Sequence, residues 1–370
     1  MRLCNFRLMN ILIVKLSAIG DVVHTLPAAA WIRRALPGAR ISWAVERKAG
    51  AILEGSPVID RLIELDSSRW RKQPFNRATI DEIKEQTKNL RGSEKDEPVD
   101  VAIDFQGLLK SGVVAKASGA QKRIGFESAD LRERASRLFL TDQIKTARIT
   151  HVIEKNLALA RAALIVSGLL PRDDAADMKP DPASYEFPIE VSGRDKQYID
   201  ETVSDAGKFA ILNPGGGWPT KLWPAERFGQ VADELLARYG IRSFITYGPG
   251  EEVLAERVAS SSRTRAARTI ASTLKQFVAL ARRAELFVGG DTGPLHLAAA
   301  CGTPIVGLYG PTSPERNGPF DPRDLTIARD LWCRADCHRR SCWHWGCMDI
   351  PVSEVQEAIS KRIGREARAR

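Results

Sequence analysis

The stretch Ile11-Leu-Ile-Val14, followed by Lys15-Leu-Ser-Ala-Ile-Gly-Asp21, decides the class of fold. Four consecutive apolar residues, three of them β-branched, predict a buried strand, and the glycine and acid that follow predict a turn into a helix. Short apolar runs of this kind alternate with amphipathic helical segments in both halves of the chain. Such alternation is typical of parallel sheets covered on both faces, so the sequence predicts an α/β protein with two Rossmann-like, doubly wound domains.

The chain has 370 residues, which is enough for two domains with separate cores. Prolines and aspartates concentrate at 171–182, a composition typical of a linker. We therefore predict an N-terminal domain over 1–185 and a C-terminal domain over 186–350. The segment 351–370 is either a helix that packs back on the N-terminal domain or a solvated basic tail. Apolar runs predict strands at 11–14, 41–45, 61–65, 99–104, 210–213, 243–247, 286–288 and 305–309.

Composition and charge limit the classes of function. Hydrophobic residues make up 44% of the chain and charged residues 27%, which is ordinary for a globular protein in water. No apolar run approaches the ~20 residues that cross a bilayer, and no signal-peptide pattern follows the first strand, so we expect a cytoplasmic protein. The formal net charge of +9 favours an anionic partner, which could be nucleic acid, anionic lipid or a phosphorylated substrate.

Polar and glycine-rich segments directly after strands are candidate sites, because open α/β sheets bind ligands beyond the carboxyl ends of their strands. Two such domains facing each other would form a cleft between their loops. Asp21 lies at the first strand-to-helix corner, after Gly20, which permits a tight turn. Its carboxylate could act as a general base in that cleft, or it could simply cap the following helix.

A glycine-rich turn follows the first strand of the second half and reads Asn213-Pro-Gly-Gly-Gly-Trp-Pro-Thr-Lys221. Three successive glycines let backbone N–H groups approach a phosphate, and Lys221 can neutralise it. A purely structural glycine turn is the alternative. Because the segment is neither a P-loop nor a G-x-G-x-x-G fingerprint, it does not identify a nucleotide by itself.

A third motif, Gly289-Gly-Asp-Thr-Gly-Pro-Leu-His296, stands between a predicted strand and helix. Thr292 and Gly293 lie at the helix N-terminus, where free N–H groups and the helix dipole favour an anion. Asp291 would repel a bare phosphate and is better suited to accept hydrogen bonds from sugar hydroxyls. His296 lies one turn into the helix and could reach the same site or serve only the structure.

Together these motifs resemble the heptosyltransferases of glycosyltransferase family 9, and the resemblance covers nearly the whole chain. Asp104-Phe-Gln-Gly-Leu-Leu-Lys-Ser111 and Arg69-Trp-Arg-Lys72 resemble segments of the heptosyltransferase I group of that family. The resemblance implies a GT-B architecture, with two Rossmann-like domains facing across a deep cleft. It further implies inverting transfer of L-glycero-D-manno-heptose from ADP-heptose to the Kdo of Kdo-lipid A, with no cofactor required. The lipid-linked acceptor would place the enzyme peripherally on the cytoplasmic face of the inner membrane.

The resemblance also implies roles for individual residues. Asp21 would take the proton of the acceptor hydroxyl, Lys221 would hold the ADP phosphates, and Glu252 would bind the ribose. The implied donor-binding residues are Gly215, Gly216, Gly217, Thr220, Lys221, Glu252, Asp291, Thr292, Gly293 and His296. The implied acceptor-binding residues are Ser17, Gly20, Arg69, Arg71, Lys72, Gln106, Lys110, Arg123 and Arg132. Arginine suits the carboxylates and phosphates of this acceptor, although any one of these cations could be a solvated surface charge.

Four of the six cysteines fall in one short stretch, at Cys333, Cys337, Cys342 and Cys347. Their spacing lacks the C-x2-C pairs of a usual zinc site. Without a secretory signal a disulfide scaffold is not expected either, so the cysteines either hold a structural metal or remain buried or redox-labile thiols.

Three alternatives stay open at this point. Another family 9 transferase would use a different donor sugar or a later acceptor in the lipopolysaccharide core. A nicotinamide-dependent oxidoreductase would also have Rossmann-like halves, but G-x-G-x-x-G does not follow the first strand. A nucleic-acid or metal-binding protein would use the basic surface and the cysteines. Since aromatic residues are not interleaved with the basic runs, we expect no nucleic-acid partner.

Overall fold

The computed structural model describes residues 9–73, 75–92, 98–146, 148–171, 181–265, 267–333, 337 and 341–369. The chain divides into two compact units, with the division after Glu190. This division lies close to the boundary predicted at 185. Most of the predicted linker, residues 172–180, lies outside the described part of the chain.

The described residues of the first unit form one parallel sheet. Its strands are β1 (Asn10–Val14), β2 (Arg40–Glu46), β3 (Arg61–Leu65), β4 (Val101–Asp104), β5 (Lys122–Phe126) and β6 (Asp142–Ile144). They are arranged in the order β3-β2-β1-β4-β5-β6, and all neighbours run parallel. The order reverses between β1 and β4, so the segments that follow these two strands meet at a topological switch point, where ligands bind in such folds.

Helices cover this sheet and bury its apolar strands, with Leu12 and Val14 of β1 inaccessible to solvent. The helices are α1 (Ile19–Val23), α2 (Leu26–Ala35), α3 (Arg47–Gly50), α4 (Ser67–Lys72), α5 (Arg77–Arg91), α6 (Leu109–Ala117) and α7 (Val152–Val166). Pro27 lies in the first turn of α2, where its missing N–H is not needed by the helix. A 3₁₀ helix over Arg134–Phe139 packs against α6.

The second unit repeats the plan. Its strands are β7 (Phe209–Asn213), β8 (Arg242–Tyr247), β9 (Ala267–Ala271), β10 (Leu286–Gly290), β11 (Ile305–Tyr309) and β12 (Leu325–Ala328). Its helices are α8 (Gly193–Thr202), α9 (Ala225–Tyr239), α10 (Glu252–Ser261), α11 (Leu274–Ala281), α12 (Gly293–Ala300), α13 (Pro314–Asn317) and α14 (Val352–Ala369). The parallel strands follow the order β12-β11-β10-β7-β8-β9. Here the switch point lies between β7 and β10, beyond which the glycine-rich turn and the Asp291 motif follow.

The C-terminal helix α14 packs on α9, β11 and β12 of the second unit. Arg362 on this helix is only 1% exposed, and its Nε donates to Oδ1 of Asp324 at 2.9 Å. Its Nη1 donates to Glu366 at 3.0 Å. The alternative of a solvated basic tail therefore does not hold for α14, whereas packing on the N-terminal domain stays a prediction.

The eight predicted strands all form close to their predicted bounds, and four further strands, β5, β6, β9 and β12, were not predicted. Two parallel sheets with covering helices confirm the predicted α/β class. None of the described helices combines the length and the apolar character that a bilayer span requires.

Candidate active site

Asp21 lies in α1, directly beyond β1 at the switch point of the first sheet. Its Oδ2 accepts a hydrogen bond from the backbone N–H of Ala18 at 3.2 Å. The Nη2 of Arg132 lies 3.5 Å from its Oδ1. The Asp21 side chain is 17% exposed and that of Arg132 is 46% exposed, so both can reach a bound ligand.

The charge on Asp21 is set by its neighbours. Burial raises the pKa of this carboxyl, but the charges of Lys15, Arg132 and His24, together with the Ala18 N–H, outweigh burial and lower the pKa to about 2. Lys15 is itself buried, and its Nζ donates to the carbonyl oxygen of Phe105 at 2.8 Å. Asp21 is therefore ionised at neutral pH, and its hydrogen bond with the Ala18 N–H caps α1, as the helix-cap alternative predicts. Its role as a general base stays a prediction.

The segment after β4 joins this site through Gln106. The Oε1 of Gln106 accepts from the backbone N–H groups of Leu16 at 3.1 Å and Ser17 at 3.2 Å. Asp104 in turn accepts from the N–H groups of Gln106 and Gly107, and burial raises the pKa of its carboxyl. Gln106 is 5% exposed, so its amide fixes the loop that carries Asp21. The predicted contact of Gln106 with acceptor stays a prediction.

Glu46, at the end of β2, is a site residue that sequence reasoning missed. Its Oε1 lies 3.1 Å from the Nζ of Lys110, and its carboxylate also accepts from the backbone N–H of Ser67 at 3.2 Å and from the Ser67 hydroxyl. Glu46 thus ties the start of α4 to the start of α6. The signal was present, because a carboxylate directly after the predicted strand 41–45 meets the same criterion as Asp21.

The remaining predicted acceptor cations differ in placement. Arg69 and Lys72 both lie in α4. The Nη1 of Arg69 lies 3.3 Å from the Oε2 of Glu82, and Lys72 is exposed. The side chain of Arg71 lies outside the described part of the chain. Arg123 lies near the amino end of β5, and its guanidinium donates to two backbone carbonyl oxygens at 2.7 Å each. The structure thus gives Arg123 a fold-stabilising role away from Asp21, whereas Lys110 and Arg132 lie at the switch point.

In the second unit a carboxylate holds the glycine turn. Glu251 accepts from the N–H of Gly216 at 2.9 Å and from the N–H of Gly248 at 2.8 Å. A Cβ on Gly215 would collide with this carboxylate, so a side chain there would displace Glu251 from the turn. The turn continues into the 3₁₀ helix Pro219–Lys221, in which Thr220 is buried.

Glu251, which was not predicted as a site residue, contacts the glycine turn, whereas ribose binding by its neighbour Glu252 stays a prediction. Glu252 is exposed at the start of α10, and its Oε1 accepts from the N–H of Gly250 at 3.1 Å. That hydrogen bond helps to lower the pKa of its carboxyl. Sequence carried no signal that separates two adjacent glutamates, since only the backbone path after β8 decides which one turns towards Gly216.

Asp291, beyond β10, is the centre of a polar cluster. Its carboxylate accepts four hydrogen bonds, at 2.6 to 3.1 Å, from Lys221, His296, Thr312 and Asn317. Burial raises the pKa of this carboxyl, but the hydrogen bond and charge of His296 and the charge of Lys221 hold it well below its usual range. Asp291 is therefore ionised. The structure brings Lys221 and His296 together on it, whereas their predicted contacts with the donor stay predictions.

Lys221 is fixed from three sides. Its Nζ donates to Oδ2 of Asp291 at 2.6 Å and to the carbonyl oxygen of the same residue at 2.9 Å. The Nζ also lies 5.0 Å from the ring centroid of Trp218. The side chain keeps 14% of its surface exposed, so this held ammonium group can still meet an anion.

The N-terminus of α12 completes the second site. Thr292 is the N-cap residue, and a Cβ on Gly216 would lie 3.4 Å from its methyl carbon, so the two segments are in contact. The buried Oγ1 of Thr292 has no hydrogen-bond partner among the described residues. In the first turn of α12 the N–H of Gly293 lacks an intrahelical acceptor and can meet an anion, whereas Pro294 has no N–H.

The cysteine stretch forms no metal centre among the described residues. Cys333 Sγ lies 3.6 Å from the Nε2 of His344, but no three His, Cys, Asp or Glu side chains in the described ranges are grouped so that they could hold a metal. Cys333, Cys337, Cys342 and Cys347 carry free thiols, and burial raises the pKa of Cys347. A structural metal at these cysteines stays a prediction.

Comparison with known proteins identifies the family. The sequence profile of "Glycosyltransferase family 9 (heptosyltransferase)" matches residues 88–344. The chain belongs to glycosyltransferase family 9. The predicted enzyme class, a glycosyltransferase, is thus confirmed in place of the alternative of a nicotinamide-dependent oxidoreductase.

Curated relatives agree with this assignment of the family 9 chain. Lipopolysaccharide heptosyltransferase 1 of Pseudomonas aeruginosa is 28% identical over 347 residues, which cover 90% of this chain and 87% of that protein. Lipopolysaccharide heptosyltransferase 1 of Escherichia coli K12 is 29% identical over 328 residues, which cover 88% and 94%. The predicted likeness to the heptosyltransferase I group is confirmed.

Solved structures agree on the fold. E. coli heptosyltransferase WaaC, solved with ADP, has a TM-score of 0.74 at 27% identity, covering 96% of the family 9 chain and 100% of WaaC. E. coli ADP-heptose lipopolysaccharide heptosyltransferase II has a TM-score of 0.73 at 22% identity, covering 97% and 100%, and supports the fold alone. The family 9 chain therefore has the predicted GT-B architecture of two Rossmann-like units.

Proposed function

We propose that this glycosyltransferase moves L-glycero-D-manno-heptose from ADP-heptose to the Kdo of Kdo-lipid A with inversion, at the cytoplasmic face of the inner membrane. The observation that carries the proposal is the ionised Asp21 carboxylate beside Arg132 at the switch point of the first sheet. Support for the donor and acceptor classes comes from the lipopolysaccharide heptosyltransferase 1 relatives and from WaaC, solved with ADP and with a fluorinated ADP-heptose.

The second unit would hold the donor. Lys221 lies against Asp291, and the N–H of Gly293 at the start of α12 lies beside the glycine turn, so both would face the diphosphate. As the bond from the heptose C1 to the diphosphate breaks, negative charge grows on the leaving ADP. A fixed ammonium group and fixed N–H groups stabilise that charge without rearranging, so protein donors can do the work of a divalent cation.

The first unit would hold the acceptor and remove its proton. The Kdo hydroxyl oxygen attacks the heptose C1, and its proton passes to Asp21 as the new glycosidic bond forms. Arg132 would pair with a Kdo carboxylate. That pairing would reduce the positive field on Asp21 and raise the pKa of its carboxyl from about 2, so acceptor binding itself would make Asp21 a stronger base.

The test is a mass-spectrometric transfer assay with heptose-free Kdo-lipid A and ADP-heptose. We expect the wild type to add one heptose, and Asp21→Asn to lose at least about 10²-fold in rate while it still binds ADP. Asp81→Asn is the matched control, because Asp81 is an exposed carboxylate on α5. Turnover retained by Asp21→Asn would refute the base assignment. ADP binding without transfer by the wild type would move the proposal to another donor sugar or a later core acceptor.

A further inference from the structure

We propose that the outer face of α6 and of the 3₁₀ helix Arg134–Phe139 docks on an anionic phospholipid bilayer. We call this face the α6 surface. It consists of three exposed apolar residues and three exposed basic residues, namely Leu109, Val113, Leu138, Lys116, Arg134 and Arg137. The inference rests on the proposed function, because a lipid-linked acceptor is presented at a bilayer surface.

The apolar residues of the α6 surface face solvent. Leu138 is 75% exposed, Val113 50% and Leu109 42%. Leu109 and Val113 are one helical turn apart and so share one face of α6. The 3₁₀ helix lies directly on α6, because the absent side chain of Gly112 lets the Phe139 ring pack against the α6 backbone. A group of exposed apolar residues on one face is typical of an interaction site.

The charge around these residues points to an anionic occupant. Lys116, Arg134 and Arg137 are exposed on the same two elements. The Nζ of Lys116 lies 5.8 Å from the ring centroid of Phe139. The adjacent carboxylate of Glu133 accepts from the backbone N–H of Leu109 at 2.6 Å. Exposed apolar side chains with cations on the same two elements match a bilayer whose headgroups are negative and whose interior is apolar.

The α6 surface adjoins the proposed acceptor site along the chain. Lys110 lies in the first turn of α6, and Arg132 lies two residues before the 3₁₀ helix. A bilayer that contacts the α6 surface would place these two cations at the level of the headgroups. The carboxylates and phosphates of a membrane-held acceptor lie at the same level, so docking would bring the acceptor to Asp21 without extracting its lipid.

Vesicle co-sedimentation of the full chain tests whether the basic residues of the α6 surface bind anionic lipid. The vesicles contain phosphatidylcholine with or without phosphatidylglycerol. We expect binding to the anionic vesicles only, weakened by salt. Arg134→Gln/Arg137→Gln should lower the partition coefficient by about 30-fold. Arg194→Gln/Lys208→Gln is the control, because it removes two exposed cations from the second unit. Equal loss in both double variants would overturn the proposal, since net charge alone would then explain binding.

Replacing the apolar residues of the α6 surface tests whether these side chains contribute to vesicle binding. Val113→Gln/Leu138→Gln should weaken binding to the anionic vesicles at least about tenfold, as expected for withdrawing two aliphatic side chains from the bilayer interface. Val253→Gln, which changes a 71% exposed residue of α10, should leave binding unchanged. Unchanged binding by the Val113 and Leu138 variant would contradict a docking surface that uses these side chains.

A comparison of two acceptors separates this proposal from the proposed function. The variants of the α6 surface should transfer heptose normally to a deacylated, soluble acceptor but poorly to an acceptor held in vesicles. Loss on both acceptors would overturn the docking role. If the wild type sediments with anionic vesicles through this surface but transfers no heptose to either acceptor, the proposed function fails and the docking surface stands.

Discussion

At the scale of single residues, Asp21 shows how neighbours set the charge of a partly buried carboxylate. Its pKa is about 2 in the folded chain against 3.8 for an unperturbed aspartate. A depressed pKa stabilises the fold at pH values above the unfolded pKa, and this contribution is lost as pH falls through the folded pKa. The shift corresponds to about 2 kcal/mol, which is present at neutral pH and disappears between about pH 4 and pH 2.

Asp21→Asn should therefore lower the free energy of unfolding by about 2 kcal/mol at pH 7, and the difference from the wild type should shrink as pH falls from 4 to 2. Urea unfolding followed at several pH values measures this. Asp81→Asn, which changes an exposed aspartate, serves as the control. A constant difference between wild type and Asp21→Asn across the whole range would show that the cations do not stabilise this carboxylate.

Glu251 and Glu252 offer a matched pair of substitutions at adjacent positions. Glu251→Gln should weaken ADP binding by about 1–2 kcal/mol, because the carboxylate that holds Gly216 and Gly248 is replaced by a neutral amide with one acceptor oxygen. Glu252→Gln should have little effect, since Glu252 is exposed. Titration calorimetry with ADP distinguishes the two. The reverse result would support the ribose-binding role that the family resemblance implies for Glu252.

At the scale of elements, α14 is attached by a buried ion pair. Arg362→Met should destabilise the second unit by about 3–5 kcal/mol, because it leaves Asp324 buried without its guanidinium partner. Lys361→Met is the control, since Lys361 is 60% exposed beside Glu357 and an exposed pair of this kind contributes little. Thermal unfolding of both variants gives the comparison. Similar midpoints would mean that apolar packing alone holds α14.

Position in the sheet accounts for most of the strands that were missed from sequence, although the edge strand β3 was found. The buried strands at the centre of each sheet, such as β1 and β7, are apolar along their whole length, because helices cover both faces. The missed β6, β9 and β12 lie at the sheet edges, where solvent reaches part of the strand and the apolar run breaks. The missed β5 lies beside an edge strand and begins with two charged residues, Lys122 and Arg123.

At the scale of the whole molecule, two sheets built on the same plan explain how much of the site could be predicted. Each switch point falls beside the first strand of its unit, so a search for polar and glycine-rich segments directly after predicted strands was enough to select Asp21 and the glycine turn. Contacts between segments distant in sequence could not be read in this way. Glu46 meets Lys110 across 64 positions, and Thr312 meets Asp291 across 21.

The four donors on Asp291 also set how a ligand can use this carboxylate. An ionised carboxylate offers about four lone-pair sites, which are taken by donors from Lys221, His296, Thr312 and Asn317. A sugar hydroxyl can therefore bond to Asp291 only in exchange for one of them. Such an exchange releases little heat, and it favours a ligand whose next oxygen re-engages the displaced donor. If Asp291 contacts the donor sugar, it would discriminate by the spacing between two ligand oxygens rather than by the presence of one.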